Sequence, residues 1–221
     1  MKIALDGPSG AGKSTVAKAL AKELGIIYVD TGALYRTIGL YVKRKGLDKS
    51  DTEGVISSLP EISLNMEFKD GEQVITLNGE RVGDNIRTGE IAMYASAVSA
   101  IPQVRAFLLN TQRDIAAKNS VVMDGRDIGT VILPDAEVKV FMVASPEARA
   151  RRRFLELSAK GENCTFESVL ADIIERDKND STRKTAPCVP ASDAVIFDNS
   201  DYDVEGSVKK VIEIIKSKVS I

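Results

Sequence analysis

The sequence predicts an α/β fold in which short buried strands alternate with helices. Residues 7–14, GPSGAGKS, fit the phosphate-binding pattern G-x-x-x-x-G-K-[ST]. This stretch follows the apolar run 3–5, which has the length of a buried strand, and precedes a run of helical periodicity that includes Val16 and Leu20. Four more short apolar runs lie further along the chain, at residues 26–29, 121–124, 138–144 and 195–198. Strand-length runs separated by amphipathic segments are typical of an α/β protein.

The glycine-rich stretch predicts a nucleotide site. Its glycines let backbone N–H groups close around a phosphate, and a helix that begins near Gly12 directs the positive end of its dipole at the same anion. Lys13 has the length to reach the β- and γ-phosphates, and the hydroxyl of Ser14 is a ligand for Mg²⁺. The alternative is a flexible Gly/Ser loop before an ordinary helix.

The second strand runs into the segment 30–36, DTGALYR. Ligands of open α/β sheets bind beyond the carboxyl ends of strands, so Thr31 is a candidate hydroxyl donor. Tyr35 and Arg36 are candidates to meet a second anionic substrate. The alternative is a glycine turn into a helix that carries a surface arginine.

A small antiparallel insert is predicted after a polar region that holds helix fragments. The runs 62–68 and 74–78 alternate apolar and polar residues, the link 69–73 is turn-like, and Asn78-Gly79 is a hairpin turn signal.

Helical periodicity returns over residues 86–117, with a break at Pro102. The inward face is expected to carry Val104, Leu108, Thr111 and Ile115. Ser96 and Arg105 lie in this region, and by default each is a solvated helix residue.

The third strand ends in Asp124, as in segments whose carboxylate supports a nucleotide-bound metal. The sequence continues as Gly125-Arg126-Asp127-Ile128-Gly129, which places a cation and an anion at the ligand edge of the sheet. The alternative is a turn held by an Arg–Asp pair.

Two charged runs bracket a predicted helical hairpin after the fourth strand. Ser145-Pro146-Glu147 is a helix start signal, and the arginines that follow it are Arg149, Arg151, Arg152 and Arg153. The second run comprises Arg176, Asp177, Lys178, Asp180 and Arg183. Such runs are usually solvated faces. Beside a nucleotide-binding core, a second interpretation is that the arginines of these runs cover the transferring phosphates.

The last helix is expected to pack its apolar face on the sheet. That face comprises Val204, Val208, Val211, Ile212, Ile215 and Val219.

The composition restricts the possible chemistry. The 221 residues include 43% hydrophobic and 28% charged residues, which suits one domain with insertions or small mobile subdomains. Histidine is absent, which excludes His-based triads and His metal sites, whereas phosphoryl transfer needs only Lys, Arg, Asp, Ser and Mg²⁺. The net charge of −2 argues against nucleic acid as a partner.

The cellular setting is also an expectation from the sequence. Cys164 and Cys188 are the only cysteines, and we expect them to be reduced thiols of a cytoplasmic protein. No run of 18 apolar residues occurs, so no membrane association is expected, and the N-terminus reads as strand and phosphate loop rather than as a signal peptide.

In this order, the segments GPSGAGKST, DTGALYR, the hairpin insert, DGRDIGTVILPDA and ERDKNDSTR resemble the bacterial cytidylate kinase family of nucleoside monophosphate kinases. The resemblance runs from about Lys2 to the C-terminal helix. It implies one P-loop kinase domain over residues 1–221, with a five-stranded parallel sheet flanked by helices. It also implies a monophosphate-binding subdomain at 31–100, which includes the β insert, and a helical lid at 145–183.

The resemblance implies roles for individual residues. ATP phosphates would be held by Gly7, Pro8, Ser9, Gly10, Ala11, Gly12, Lys13, Ser14 and Thr15, with Ser14 on Mg²⁺. The cytosine would be met by Thr31, Arg105, Asp127 and Arg183, the ribose by Ser96, Arg176 and Asp180, and the acceptor phosphate by Arg36 and Arg126. The residues expected to act in catalysis are Lys13, Arg126 and Arg176. The family often has serine where Thr31 stands. The hydroxyl is therefore kept, and the added methyl group narrows the cytosine pocket on the side that Thr31 forms.

The implied activity is ATP-dependent phosphorylation of CMP, and of dCMP, in pyrimidine nucleotide metabolism. We expect a monomer that uses CMP or dCMP and ATP, with Mg²⁺. The alternatives are a P-loop kinase for another small acceptor, such as UMP or shikimate, and a non-catalytic nucleotide switch. The absence of an Asn-Lys-x-Asp guanine-reading motif disfavours a GTPase-like switch.

Overall fold

The structure is a computed structural model that describes residues 1–69, 71–159 and 161–219. Within these residues, five strands form a parallel sheet in the order β2-β6-β1-β7-β8, and three form an antiparallel sheet in the order β3-β4-β5. The strands are β1 (Lys2–Asp6), β2 (Ile27–Asp30), β3 (Leu64–Lys69), β4 (Glu72–Leu77), β5 (Glu80–Arg81), β6 (Val121–Gly125), β7 (Val138–Val143) and β8 (Val195–Asp198). The α/β class and the antiparallel insert predicted from the sequence are therefore confirmed.

Helices connect most of these strands. They are α1 (Lys13–Leu24), α2 (Thr31–Arg44), α3 (Thr52–Ser58), α4 (Gly89–Ser99), α5 (Pro102–Lys118), α6 (Pro146–Ala159), α7 (Phe166–Thr182) and α8 (Val204–Lys218). A single π-helical turn, Ile128–Ile132, follows β6. Side-chain caps start several helices, among them Asp30 for α2, which accepts from the N–H of Ala33.

The chain divides into two compact units, and the first comprises Met1–Ile26 and Ser120–Ile221. In this unit β1 pairs with β6 and β7, so that Leu5 lies opposite Asp124 and Asp6 opposite Gly125. Strands β1, β6 and β7 are buried along most of their length, as expected for a sheet with both faces covered, whereas only Phe197 is buried on the edge strand β8. The parallel pairing brings the ends of β1 and β6 to one edge, where their acidic residues meet the phosphate loop.

The second unit is Ile27–Asn119. Its core combines α2, α4 and α5 with the inner face of the antiparallel sheet, including Leu34, Ile38, Ile75, Val98 and Leu108. Asn78 and Gly79 both have positive φ, at 50° and 84°, and they join β4 to β5 as their sequence predicts.

Three expectations for helix faces are wrong. Val204 is 54% exposed, because it opens α8 before that helix reaches the sheet. On α5, the inward face passes through Gln112 and Ala116 rather than Thr111 and Ile115, which are only partly buried. Arg105 is not a solvated residue, since it is only 9% exposed.

The turn between β3 and β4 is shorter than the link predicted over residues 69–73. Lys69 pairs with Glu72, so both strands extend into the predicted link. Asp70, which belongs to that link, lies outside the described residues.

In the described part of the chain, no single helix is long and apolar enough to cross a membrane. Helices α4 and α5 pass the test of length and composition only as a pair that bends by 98° at the break between them. Both helices contribute buried residues to the core of the second unit.

Gly39 allows α2 and α4 to cross closely, and its replacement tests this packing. A Cβ at Gly39 would lie 3.0 Å from the backbone nitrogen of Ala95 and from the Cβ of Tyr94. We expect Gly39→Ala to lower the free energy of unfolding by about 1–3 kcal/mol, because the new methyl group would meet backbone atoms of α4, which cannot move aside as the end of a flexible side chain can. Gly89→Ala is the control: Gly89 is also helical, with open space around its Cβ position. Urea denaturation measures both variants, and equal stabilities would refute the packing argument.

Candidate functional site

The phosphate loop lies between β1 and α1 and follows the carboxyl end of β1. Gly7 has a φ of 142°, and a Cβ there would overlap the carbonyl oxygen of Met142 on β7. Only glycine therefore lets the loop leave the sheet at this point. Gly12 caps α1 in the left-handed conformation, so that the first N–H groups of the helix face the loop.

Lys13 is 5% exposed and donates from Nζ to the carbonyl oxygen of Pro8, at 2.7 Å. Burial, and then the nearby guanidinium of Arg126, lower the pKa of Lys13 to about 7. An ammonium group in this environment is stabilised by an added anion. The loop thus combines backbone N–H groups with a buried amine whose charged form is disfavoured by burial and by Arg126.

Ser14 and Asp124 bring a hydroxyl and a carboxylate together at the edge of the sheet. The Ser14 Oγ donates to Asp124 Oδ2 at 2.7 Å. Both are oxygen ligands of the kind that Mg²⁺ accepts, and such sites use only one or two protein ligands beside phosphate oxygens and water. The described residues contain no cluster of three or more acidic, Cys or His ligands, which is compatible with a site of this kind.

Asp180 is the centre of a cluster of three arginines in the first unit. Arg126 Nε donates to Asp180 Oδ2 at 2.9 Å, and Arg183 Nη1 lies 3.8 Å from Oδ1. Arg176 Nε lies 3.9 Å from Oδ2, which is an ion pair without a hydrogen bond. The structure therefore brings together four residues that the sequence analysis selected, and their formal charges sum to a positive excess.

Burial and charge oppose each other in this cluster. Desolvation alone would raise the pKa of Asp180, but Arg126 and then Arg176 outweigh it, and the pKa is lowered. Likewise, burial would lower the pKa of Arg126, and Asp180 more than compensates.

Cys188, whose backbone N–H donates to the Asp180 carbonyl at 2.8 Å, has a pKa raised to about 11 by burial. Cys188 is therefore a neutral thiol, and both cysteines are free, as the sequence predicts.

The arginines of α6 have different positions. Arg149 is 2% exposed and donates to the carbonyl oxygens of Ser9, at 3.1 Å, and Ala144, at 2.9 Å. It also pairs in a bidentate manner with Asp177 on α7, at 2.5 and 2.9 Å. Arg149 therefore joins the phosphate loop to α7 rather than lying on a solvated face. Arg152 binds the chain after β8, where it donates to the carbonyl oxygen of Asn199 at 2.7 Å.

In the second unit, Thr31 and Arg36 lie in the first two turns of α2, directly after β2. Thr31 is buried, and Arg36 Nη2 donates to Asp30 Oδ2 at 2.7 Å. The Nε of Arg36 is buried and has no hydrogen-bond partner among the described residues. An unsatisfied buried guanidinium N–H is a donor for an anion or a water molecule.

Arg105 and Ser96 are linked through Ser99. Arg105 Nη1 donates to the carbonyl oxygen of Ser99 at 3.1 Å, and Ser99 Oγ donates to that of Ser96 at 2.8 Å. The Arg105 guanidinium also lies over the ring of Tyr35, 5.4 Å from its centroid. Since Tyr35 lies one turn after Thr31 on α2, the second unit places Thr31, Ser96 and Arg105 in one neighbourhood.

Asp6 is a buried residue that the sequence analysis missed. Its two carboxylate oxygens accept the backbone N–H groups of Ile128 and Gly129, each at 2.7 Å. These groups directly follow Arg126 and the buried Asp127, so Asp6 fixes the turn that carries both. Burial raises the pKa of Asp6 to about 6, and the two hydrogen bonds only partly offset this effect. The sequence feature that could have identified Asp6 is the presence of an acidic residue at a strand end directly before Gly7.

Asn199 is a second residue that was missed. Its side-chain amide is buried and donates to the carbonyl oxygen of Ala11 at 2.9 Å, which ties the end of β8 to the phosphate loop. Its position after a strand end was visible in the sequence, but nothing in the sequence indicated its partner.

Comparison with known proteins places the chain among the cytidylate kinases. The family model described as cytidylate kinase matches residues 3–217. A cytidylate kinase of Fervidobacterium nodosum is 48% identical over 100% of this chain and 98% of that protein. That of Caldanaerobacter subterraneus subsp. tengcongensis is 49% identical over 98% of this chain and 95% of that protein.

Solved structures share the fold at low identity. Shikimate kinase from Bacteroides thetaiotaomicron has a TM-score of 0.50 and 16% identity, and the match covers 98% of each chain. An uncharacterized protein from Eubacterium ventriosum has a TM-score of 0.51 and 15% identity, over 98% of this chain and 99% of that one. These likenesses support the architecture and carry no information on the acceptor.

The raised pKa of Asp6 predicts a specific pH dependence of stability. The folded protein keeps the Asp6 proton up to about pH 6, whereas the unfolded chain, with the ordinary value of 3.8, releases it earlier. The contribution of Asp6 to stability is therefore complete below about pH 4 and is lost as the pH rises to about 6. We expect the difference in unfolding free energy between wild type and Asp6→Asn to fall by about 2–3 kcal/mol over this window.

Urea denaturation at a series of pH values measures this difference. The control is Asp201→Asn, at an exposed position, for which the corresponding difference should not vary in this way. A pH-independent difference for Asp6→Asn would show that Asp6 titrates normally.

Proposed function

The chain belongs to the cytidylate kinase family, and we propose from this membership that it transfers the γ-phosphoryl group of ATP to CMP. The products are ADP and CDP, and dCMP is proposed as a second acceptor. The family implies ATP as the donor. A kinase for UMP or shikimate, or a nucleotide switch, is not favoured, because the curated relatives are named for cytidylate.

The observation that carries this proposal is the excess of positive charge beside the phosphate loop, which is buried at Lys13 and partly buried at three arginines. Arg126, Arg176 and Arg183 surround Asp180, and Lys13 lies near Asp124. Burial, and then the charge of Arg126, lower the pKa of Lys13. Phosphoryl transfer needs charge neutralisation and positioning more than it needs a covalent partner. A cluster of this composition supplies both when phosphates enter.

Each charged group of the loop and the cluster has a proposed task. Backbone N–H groups of residues 7 and 9–15 bind the donor phosphates, and Lys13 exchanges the Pro8 carbonyl for phosphate oxygens. Arg126 and Arg176 then neutralise the charge that develops on the transferred group. Asp180 holds these guanidiniums in place and reaches the ribose. When bound, Mg²⁺ supplies further neutralisation of phosphate oxygens, and Ser14 with Asp124 would hold it.

The acceptor is proposed to be recognised by both its phosphate and its base. Arg36 and Arg126 bind the phosphate, and the unsatisfied Nε of Arg36 supports the first assignment. Asp127, Arg105, Arg183 and Thr31 read cytosine, while Ser96 approaches the ribose. Cytosine offers a 4-amino donor to a carboxylate and acceptors to arginines.

The organisation of the chain follows the same proposal. Residues 31–100 act as the monophosphate-binding subdomain and residues 145–183 as a lid. The protein is proposed to work as a monomer in the cytoplasm, and its free cysteines are compatible with that compartment. An assay of ADP release over CMP, dCMP, UMP and shikimate tests the activity, and preference for any acceptor other than the cytidylates would refute it.

Removal of the Lys13 side chain should nearly abolish turnover. We expect Lys13→Ala to lower kcat by about 10²–10³, because it deletes a preorganised charge at the transferring phosphate. Lys22→Ala, an exposed lysine of the same helix, is the control and should keep wild-type activity. The coupled ADP assay measures both, and circular dichroism checks folding. A folded Lys13→Ala variant with near-normal kcat would exclude the proposed role.

Replacement of Asp127 should change the choice of base. In the wild type, the O4 of UMP would face carboxylate lone pairs, so discrimination against UMP of up to about 10⁴ is expected. Asp127→Asn supplies an amide that can donate to O4, so kcat/KM for CMP should fall and the CMP/UMP ratio should narrow. Measurement of kcat/KM for both nucleotides on both proteins decides the assignment. An unchanged ratio would show that Asp127 does not read the base.

A further inference from the structure

Gln73, in the antiparallel insert, makes two hydrogen bonds to the backbone of one residue, Asp30. The Asp30 N–H donates to Gln73 Oε1 at 2.8 Å, and Gln73 Nε2 donates to the carbonyl oxygen of Asp30 at 3.2 Å. One planar amide thus replaces the hydrogen-bonding edge of a neighbouring strand. Because it engages the groups on both sides of the Asp30 Cα, it fixes the direction in which the Asp30 side chain leaves the backbone.

The Asp30 carboxylate then performs two tasks at the start of α2. Oδ1 accepts the N–H of Ala33 at 2.8 Å, which caps the helix, and Oδ2 accepts from Arg36 Nη2 at 2.7 Å. The turn between them is tight. A Cβ at Gly32 would lie 3.2 Å from Asp30 Oδ1 and 3.3 Å from Arg36 Nη1. A shift of the Asp30 backbone would therefore move the Arg36 guanidinium.

We propose that Gln73 is a positioning residue for the acceptor: through Asp30, it orients Arg36 toward the phosphate of CMP. The inference rests on the phosphate role assigned to Arg36 under the proposed function, and it gives the β insert a task in catalysis. The insert contributes a side chain that sets the geometry of the acceptor turn without touching the substrate. A change at a residue that does not touch the substrate can lower the rate by up to about 10²-fold if it displaces a binding group by about 1 Å.

The test compares Gln73→Leu with Gln103→Leu, the same change at an exposed position on α5. Gln73→Leu removes both hydrogen bonds and keeps the approximate size of the side chain. We expect it to raise KM for CMP by about 10-fold, with KM for ATP within twofold of wild type. Gln103→Leu should leave both constants unchanged. If Gln73→Leu does not fold, Gln73→Glu takes its place, since it keeps the acceptor for the Asp30 N–H and sets an oxygen against the Asp30 carbonyl.

A double-mutant cycle with Arg36→Ala identifies the route. If Gln73 acts through Arg36, Gln73→Leu should change KM for CMP by less than twofold once Arg36 is alanine. A merely structural role would instead lower the melting temperature and the active fraction, and it would leave KM for CMP unchanged.

Several results would overturn the inference. They are an unchanged KM for CMP in Gln73→Leu, an equal rise in KM for ATP, and an undiminished effect in the Arg36→Ala background. An unchanged KM for CMP in Arg36→Ala itself would reject the phosphate role of Arg36, and with it this route. A raised KM in Arg36→Ala together with a wild-type KM in Gln73→Leu would overturn the inference alone and leave the proposed function standing.

Discussion

The concentration of buried and partly buried cations beside the phosphate loop is the constraint on which the rest of the site depends. Burial, and then the nearby guanidinium of Arg126, lower the pKa of Lys13, and the carboxylates of Asp124 and Asp6 offset these effects only in part. Asp180 holds three guanidiniums, and Asp124 lies against Ser14. Such an arrangement is unfavourable without an anion and favourable with one. The charge distribution of the unliganded protein therefore favours the binding of phosphate.

Carboxylates at the ends of strands act as the anchors of this arrangement. Asp6 ends β1 and holds two backbone N–H groups of the turn after β6, while Asp30 ends β2 and holds both the start of α2 and Arg36. In each case a short, buried acid fixes a segment that carries the longer functional side chains. Arginines are flexible, and their precision depends on such fixed partners.

The architecture and the choice of acceptor are separate properties of this chain. A shikimate kinase shares the fold at 16% identity, whereas two proteins named cytidylate kinase share 48% and 49% identity over nearly the whole length. Architecture positions loops at the edge of a sheet, and side chains on those loops choose the substrate. Differences in acceptor are therefore expected in segments such as 30–36 and 125–130 rather than in the strands.

The sequence by itself determined the features that depend on local chemistry. The glycine-rich loop, the buried strands, the Asn78-Gly79 turn and the helix start at Pro146 follow from neighbouring residues, because backbone conformation and period act over a few positions. Only the tertiary structure decided which partners distant residues find. Nothing near Gln73 in the sequence indicates that its amide binds Asp30, and nothing near Arg149 indicates that its charge is buried against Ser9 and Asp177. These contacts join segments that are 28 to 140 residues apart, and the packing of whole elements brings them together.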